Sequence, residues 1–305
     1  MKLRHSPRSS ASINDGEDAA APHVPVLLAE SLDALGIRPG GIYVDGTFGG
    51  GGHTRAIVAR GARVVAFDRD PTAELPADLA ASVTLVRSNF AEIGTALDEL
   101  GITLVDGVLF DFGVSSMQLD RAERGFSLAH DGPLDMRMNP NDGQTAYDLL
   151  ETSDETELAD IIFNYGDERA ARRIARKIAW ARERSTLPKT TSEFARMIAG
   201  VMHVRGKRER IHPATRTFQA LRIAVNDELG SIERGLDAAI ARITPGGRIA
   251  AISFHSLEDR IVKVRFREDE RVRAITRKPL LPGDDEQSRN PRSRSAKLRV
   301  AERLP

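Results

Sequence analysis

A glycine-rich loop between a short strand and a helix constrains the fold of this chain more than any other feature. Residues 42–54 run Ile-Tyr-Val-Asp-Gly-Thr-Phe-Gly-Gly-Gly-Gly-His-Thr, and their β-rich start predicts a strand that ends at Asp45. Residues 54–60 then predict a helix. Because glycine has no Cβ, backbone N–H groups at such a helix N-terminus can approach a ligand closely. The alternative is a flexible glycine-rich linker, which the flanking strands disfavour.

A second predicted strand ends at another acid. Residues 63–68 run Arg-Val-Val-Ala-Phe-Asp, and Asp68 follows Asp45 by 23 positions. In nucleotide-binding α/β folds, an acid at the tip of the second strand binds ribose hydroxyls. The pair of strands therefore predicts a domain that binds a compound built on adenosine.

The spacing of the glycines narrows the choice of compound. A dinucleotide fingerprint requires Gly-x-Gly-x-x-Gly, but counting from Gly49 its third glycine falls on Thr54. This disfavours a dehydrogenase, and the chain also lacks the Gly-x-x-x-x-Gly-Lys-Ser/Thr loop of ATPases. What remains is acid-Gly-x-x-Gly-x-Gly, which begins at Asp45 and is typical of S-adenosylmethionine (SAM) methyltransferases.

Composition is consistent with a cytoplasmic enzyme. The 305 residues suffice for one large or two medium domains with ample core. The absence of cysteine excludes disulfides, thiolate chemistry and metal binding through sulfur. No apolar run reaches the roughly 18 residues of a membrane span, so we expect no membrane partner. Basic and acidic residues balance at 44 each, so only their distribution can indicate a nucleic-acid partner.

The order of predicted elements indicates a sheet interrupted by an insertion. Further strands are predicted at residues 83–86, 107–111 and 248–254, the last after a Pro-Gly-Gly turn. A long helix is predicted at 217–242. Residues 119–215, between the fourth strand and that helix, show helical periodicity and concentrated basic charge. We therefore predict an inserted helical domain.

These boundaries give a complete domain hypothesis. Residues 22–118 and 216–305 form a discontinuous α/β domain with a class I SAM-methyltransferase (Rossmann-like) sheet, and 119–215 form the insertion. Residues 1–21 are rich in Ser, Ala and Arg and then acidic, with almost nothing apolar to bury, and we predict a disordered tail.

The chain resembles the bacterial 16S ribosomal RNA cytidine N4-methyltransferases from His23 to Arg303. Long motifs in a fixed order carry the resemblance. They are His23-Val-Pro-Val-Leu-Leu, Asp45-Gly-Thr-Phe-Gly with Gly51-Gly52-His53, Asp68-Arg-Asp-Pro, Asp111-Phe-Gly-Val-Ser-Ser, Glu123-Arg-Gly-Phe-Ser, Asp131-Gly-Pro-Leu-Asp-Met-Arg-Met, His212-Pro-Ala-Thr-Arg-Thr-Phe-Gln-Ala, Ser253-Phe-His-Ser-Leu-Glu-Asp-Arg and Asn290-Pro-Arg-Ser-Arg-Ser. The resemblance implies methylation of the exocyclic amine of cytidine 1402 (standard RNA numbering) in the small ribosomal subunit.

The resemblance also assigns a cofactor site. The SAM contacts that it implies are Gly51, Gly52, His53, Asp68, Phe90, Asp111 and Gln118. Asp68 would bind the ribose, and Phe90 would lie against the adenine. No metal is expected. Since the lone pair of the cytosine amine is delocalised into the ring, the enzyme must accept hydrogen bonds from that amine, and Asp111 is the candidate catalytic residue.

Basic clusters in the insertion and near the C-terminus are candidates for binding 16S ribosomal RNA, because cations there can displace counterions from phosphates. The candidate substrate residues are Arg172, Arg173, Arg176, Arg208, Arg292 and Arg294, with His255 just past the last predicted parallel strand. Two alternatives stay open: a SAM enzyme acting on another RNA or a small molecule, and a non-catalytic ribosome assembly factor. Whether the chain is a monomer or a homodimer is also open.

Overall fold

A computed structural model of the protein describes residues 25–202 and 212–305. Its strands, in chain order, are β1 (Ile42–Asp45), β2 (Arg63–Phe67), β3 (Val83–Val86), β4 (Val105–Asp111), β5 (Ile243–Ser253), β6 (Val272–Ala274) and β7 (Lys297–Arg303). Within these residues they form one sheet in the order β3-β2-β1-β4-β5-β7-β6. The first five strands pair in parallel, and β7 runs antiparallel between β5 and β6. This confirms the predicted class I methyltransferase sheet.

Helices cover both faces of the sheet and also build a separate helical layer. The α-helices are α1 (Leu28–Leu35), α2 (Gly52–Val58), α3 (Ile93–Glu99), α4 (Ser116–Asp120), α5 (Ala146–Thr152), α6 (Glu155–Gly166), α7 (Ala171–Glu183), α8 (Thr191–Met202), α9 (Thr215–Asn226), α10 (Glu228–Arg242), α11 (Ser256–Glu268) and α12 (Asp284–Arg289). Short 3-10 helices lie at Ala77–Leu79, Phe90–Glu92, Ala122–Arg124 and Pro291–Ser295. No helix in the described parts of the chain is long and apolar enough to cross a membrane.

The two faces of the sheet have separate cores because side chains alternate along a strand. In β4, Val108 and Phe110 enter the core shared with α3, α10 and α11, whereas Leu109 enters the core shared with α1 and α2. Tyr43 and Val44 of β1 divide in the same way. Strands buried on both faces form continuous apolar runs, which is why the sequence pattern predicted them.

A third core lies among the helices that follow β4. This insertion core runs from Phe126 to Leu221 and is built from α5 to α9. Helix α7 contributes Ile174, Ile178 and Ala181 to it. It also contains Phe218 and Leu221 of α9, which follow residue 215, the expected end of the insertion.

The prediction of one long helix at 217–242 is wrong. Two helices, α9 and α10, meet at Asp227, whose backbone is left-handed (φ 46°, ψ 47°). Helix α9 packs on α6 and α5, whereas α10 packs against α3 and the sheet. A single straight helix could not pack against both groups of elements. Asp is one of the few residues that tolerate the left-handed conformation at the break.

The last parallel strand is longer than the predicted one. Strand β5 begins at Ile243, which pairs with Val105, and its register shifts before Gly107 pairs with Arg248. The Pro-Gly-Gly turn therefore lies inside the strand as an irregularity, with φ of 75° at Gly246. The predicted tail, residues 1–21, lies outside the described residues.

Candidate active site

The glycine loop is shaped by contacts within the protein. Asp45 is fully buried at the end of β1, where Oδ1 accepts a hydrogen bond from Thr47 N (3.1 Å) and Oδ2 accepts one from Thr54 Oγ1 (2.6 Å). Gly51, the residue before α2, has φ of 73°, which favours glycine. A Cβ on Gly52 would lie 2.2 Å from Pro25 Cγ, so a larger residue would displace the segment before α1.

Asp68, just after β2, is held in a fixed orientation. Its Oδ2 accepts a hydrogen bond from Gly49 N (3.0 Å), and its Oδ1 accepts one from Asp70 N (2.8 Å). Burial raises the pKa of Asp68 to about 6, against the lowering effect of these two backbone bonds. Each oxygen keeps a further lone pair for a ligand.

A cavity of about 960 Å³ opens where the glycine loop meets the ends of β2 and β4. Six of the seven predicted cofactor residues line it: Gly52, His53, Asp68, Phe90, Asp111 and Gln118. Gly51 is outside the lining, whereas Gly50, which the sequence did not single out, is part of it. A Cβ on Gly50 would meet no atom within 4 Å, so this glycine borders open space.

Phe90 is fixed in the cavity wall by other aromatic rings. Its ring lies edge-on to Phe110, with centroids 5.4 Å apart, and is tilted toward Phe112 at 5.8 Å. On the other side, a Cβ on Gly235 of α10 would lie 2.5 Å from Phe90 Cδ2, so the helix passes very close to the ring. Phe90 thus offers a rigid apolar surface to a flat ligand.

Asp111 ends β4 with an unsatisfied carboxylate oxygen. Its backbone N–H donates to Thr47 Oγ1 (2.7 Å), and its Oδ2 lies 3.7 Å from Nδ1 of His53. Oδ1 is buried and has no hydrogen-bond partner among the described residues. Burial, followed by the charges of Asp45 and Glu258, raises the pKa of Asp111 well above its ordinary value. A ligand that donates a hydrogen bond or carries positive charge would satisfy this oxygen.

His53 and Gln118 also have partners within the protein. The Nε2 atom of His53 lies 3.1 Å from the carbonyl oxygen of Val26. Gln118 and Ser115 cap the start of α4 reciprocally, with Ser115 N donating to Gln118 Oε1 (3.1 Å). The Gln118 amide also donates to Asp70 Oδ2 (3.4 Å). Both side chains therefore fix the cavity wall as well as facing it.

A buried charged group, which the sequence analysis missed, forms another part of the wall. Arg222 of α9 donates to both carboxylate oxygens of Glu228, at 2.7 and 2.9 Å. Burial opposes ionisation of Glu258, but bonding to His255 and the charge of Arg222 outweigh it, so the pKa of Glu258 is lowered. The sequence signal that could have revealed this group is the charged residue at position 222, which stands between the apolar residues Leu221 and Ile223.

His255 belongs to this group. It precedes α11 and caps it, with Nδ1 accepting from Glu258 N (3.5 Å) and Nε2 lying 3.1 Å from Glu258 Oε1. Glu228, His255 and Glu258 place ligand atoms within 4.8 Å of one another, the spacing of a possible metal site. Arg222 bonds both carboxylate oxygens of Glu228, so the charge of Glu228 is already compensated by an arginine.

The predicted RNA-binding residues fall in different places. His255 and Arg292 line the cavity, and Arg292 also pairs with Asp120 at 3.3 Å. Arg294 is exposed nearby but outside the lining. The arginines of α7 are exposed and lie outside the cavity: Arg172, Arg173 and Arg176. Arg208 lies outside the described residues.

The residues after Asp68 join the cavity to the insertion. Asp70 is buried and pairs with Arg124, whose guanidinium also donates to the carbonyl oxygen of Met138 (2.9 Å). Arg69 donates to the carbonyl oxygen of Asn226 at the end of α9 (2.8 Å). The loop that carries Asp68 is thus bonded both to the insertion and to α9, which packs on it.

Comparison with known proteins identifies close relatives over almost the whole chain. The profile of the MraW methylase family matches residues 20–304. A Heliobacterium modesticaldum protein named Ribosomal RNA small subunit methyltransferase H is 49% identical, with 92% of this chain and 98% of the relative covered. Proteins of the same name from Geobacter sulfurreducens and Deinococcus radiodurans are 50% and 47% identical, covering 92% and 99% of this chain and 99% and 98% of their own lengths.

Proposed function

The chain belongs to the MraW methylase family, and from this premise we propose that it methylates the exocyclic N4 amine of cytidine 1402 in 16S ribosomal RNA of the small subunit, with SAM as donor. The observation that carries the proposal is identity of 47 to 50% to relatives named for a ribosomal RNA methyltransferase activity, over at least 92% of this chain. The target base and its N4 atom come from the motif resemblance.

The charged groups of the cavity support SAM as the donor. SAM supplies, when bound, an electrophilic methyl group on a positively charged sulfonium. Asp68 and Asp111 both face the cavity with raised pKa values, and Asp111 Oδ1 has no partner in the described structure. Burial disfavours the ionised form of both carboxylates, and the positive charge of the sulfonium nearby would stabilise that form.

We assign the cofactor contacts to the lining residues. The two oriented oxygens of Asp68 would accept hydrogen bonds from the ribose hydroxyls. Phe90 would cover one face of the adenine. Gln118, held by the capping box at the start of α4, would close the pocket. Gly52 and His53 would line the pocket around the methionyl part, and Gly51, outside the lining, would shape the loop that carries them.

Asp111 is the proposed acceptor for the target amine. When the new N–C bond forms, the nitrogen must release a proton, and a carboxylate with a raised pKa accepts it more readily than an ordinary one. The unpartnered Oδ1 provides an acceptor without breaking an existing bond. Since His255 is engaged with Glu258, we assign it to orienting the base rather than to proton transfer.

We assign RNA binding to the insertion, residues 119–215, together with α9 and the C-terminal arginines. Arg172, Arg173 and Arg176 would contact phosphates at a distance from the reaction, and Arg292 and Arg294 would do so at the cavity mouth. Arg208, outside the described residues, is assigned to phosphate contact by its charge alone. Because bacterial small ribosomal subunits are cytoplasmic, we expect an enzyme that acts on them to be in the cytoplasm.

The test is transfer of labelled methyl from SAM to small subunits that lack this modification. Free 16S RNA and an Asp68→Ala protein are run beside them. Label on one cytidine of the subunit, lost in the variant, is the expected result. Binding of SAM and RNA with no transfer would instead indicate an assembly factor, and label only on another acceptor would indicate a different substrate.

A further inference from the structure

The only tryptophan of the chain lies on the surface of the insertion, between two cations. Trp180, near the end of α7, is 44% exposed. Lys177 Nζ lies 3.8 Å from the centroid of its ring, and Arg184 Cζ lies 4.5 Å from it. Both distances are within the roughly 6 Å at which a cation is attracted to an aromatic face.

These residues belong to a basic stripe along one side of α7. Arg173, Lys177, Trp180 and Arg184 are spaced by four, three and four positions, which places them on one helical face. An adjoining face carries Ile174, Ile178 and Ala181 and is buried in the insertion core. From residue 173 to residue 184 the stripe is roughly 16 Å long.

The charge of the stripe is not neutralised within the described structure. Arg176 approaches Glu155 at 3.6 Å, but no carboxylate among the described residues pairs with Arg173, Lys177 or Arg184. Cations that have no carboxylate partner and lie beside an exposed aromatic ring are typical of sites that bind single-stranded nucleic acid. In such sites the cations contact phosphates and the ring stacks on a base.

We propose that Trp180 stacks on an unpaired base of the RNA substrate, and that Lys177 and Arg184 leave its ring to contact the phosphates on either side of that base. The site lies outside the methylation cavity, of which none of the three is a lining residue. The proposal rests on an RNA substrate, and it adds a specific recognition contact to the general basic charge of the insertion.

Because Trp180 is the sole tryptophan, fluorescence of the full chain excited beyond the absorption of its three tyrosines reports on this position alone. The probe is a short single-stranded oligocytidylate, compared with an oligonucleotide of equal length and charge whose residues are abasic. Stacking predicts quenching by the first and little change with the second. Equal quenching by the abasic strand or by polyglutamate would overturn the proposal, since charge alone would then explain the signal. Binding of oligocytidylate without quenching would also overturn it.

Variants test the energetic contribution. Because it removes the stacking surface, Trp180→Ala should weaken oligocytidylate binding about tenfold, whereas Trp180→Phe should retain most of it. Phe163→Ala is the matched control, because Phe163 is a 54% exposed aromatic residue on α6 with no cation over its ring among the described residues. Equal affinities of Trp180→Ala and Phe163→Ala would contradict the proposal.

Methyl transfer separates this proposal from the wider function. With small subunits as substrate, Trp180→Ala should raise KM and leave kcat and SAM affinity unchanged. If the wild-type protein transfers no methyl group to subunits, the ribosomal function fails, and the fluorescence titration still decides the stacking site. If the wild type is active and Trp180→Ala has the same KM, stacking is excluded and the function stands.

Discussion

Three aspartates at neighbouring strand ends occupy different electrostatic environments. Both oxygens of Asp45 are bonded within the glycine loop, so this carboxylate serves the loop itself. Asp68 is oriented by two backbone N–H groups but keeps lone pairs toward the cavity. Asp111 has a buried oxygen without a partner in the described structure. The number of hydrogen bonds that each carboxylate already accepts, rather than the residue type, separates Asp45 from the two aspartates that we propose as functional.

Asp68→Asn should abolish tight SAM binding while changing the stability of the ligand-free protein little. Burial raises the pKa of Asp68 from 3.8 to about 6, so its ionisation costs folding free energy above pH 6, and this cost disappears below pH 3.8 where both states are protonated. Asn removes this charge, but it also replaces one of the two oxygens that accept from Gly49 N and Asp70 N with an amide nitrogen. We therefore expect the two effects on the free energy of unfolding at neutral pH largely to cancel, and SAM affinity to fall more than about tenfold. Urea unfolding and calorimetry measure both. A variant that binds SAM as tightly as the wild type would contradict this account of Asp68.

SAM affinity should fall as the pH is lowered through about 6. Protonation of Asp68 removes the charged acceptor for the ribose hydroxyls. Titration calorimetry of the wild-type protein should show weaker binding at pH 5 than at pH 7, about tenfold at most because the pKa is near 6. Asp68→Asn is the control and should bind weakly with little dependence on pH over this range. A flat wild-type profile would show that Asp68 does not contact the cofactor.

At the scale of elements, the sequence predicted what depends on local periodicity. The parallel strands appeared as apolar runs, and the start of α2 was indicated by the glycines before it. The break at Asp227 could not be predicted in this way, because it depends on α9 and α10 having different packing partners. Likewise, the Arg222–Glu228 pair joins residues whose partnership depends on that break.

Asn226, the last residue of α9, should be important for joining the insertion to the sheet. Its buried amide accepts from Met138 N (2.7 Å) and donates to the carbonyl oxygen of Met136 (2.7 Å). Asn226→Ala would leave these two backbone groups unsatisfied, so we expect a loss of about 1–3 kcal/mol in the free energy of unfolding. The exposed Asn164→Ala on α6 is the matched control and should change it by less than about 0.5 kcal/mol. Equal effects of the two substitutions in denaturant titrations would contradict this role.

At the scale of the whole molecule, a buried ion pair joins the loop that carries Asp68 to the insertion. Asp70 and Arg124 are each no more than about a tenth exposed, and 54 positions separate them in the chain. Sequence periodicity cannot pair residues so far apart, although both lie in the motifs that carry the family resemblance. Because Asp70 lies two residues after Asp68, the pair fixes the insertion beside the cofactor pocket.

Arg124→Met should destabilise the protein strongly. It leaves the Asp70 carboxylate buried without its partner, a change that costs about 3–5 kcal/mol for buried pairs. The double variant Asp70→Asn with Arg124→Met removes both charges and should recover part of the loss. Thermal and urea unfolding of the three proteins measure this coupling. A double variant less stable than Arg124→Met alone would show that the charge of Asp70 is not the cause.

The most direct test of the whole account is the chemical identity and position of the methylated nucleoside. Small subunits that lack the modification are incubated with the protein and SAM, and the digested 16S RNA is analysed by mass spectrometry. The account predicts one added methyl group, on N4 of cytidine 1402, and none when Asp68→Ala replaces the wild type. A methyl group at another nucleoside or another atom, or none from a protein that binds SAM, would contradict it.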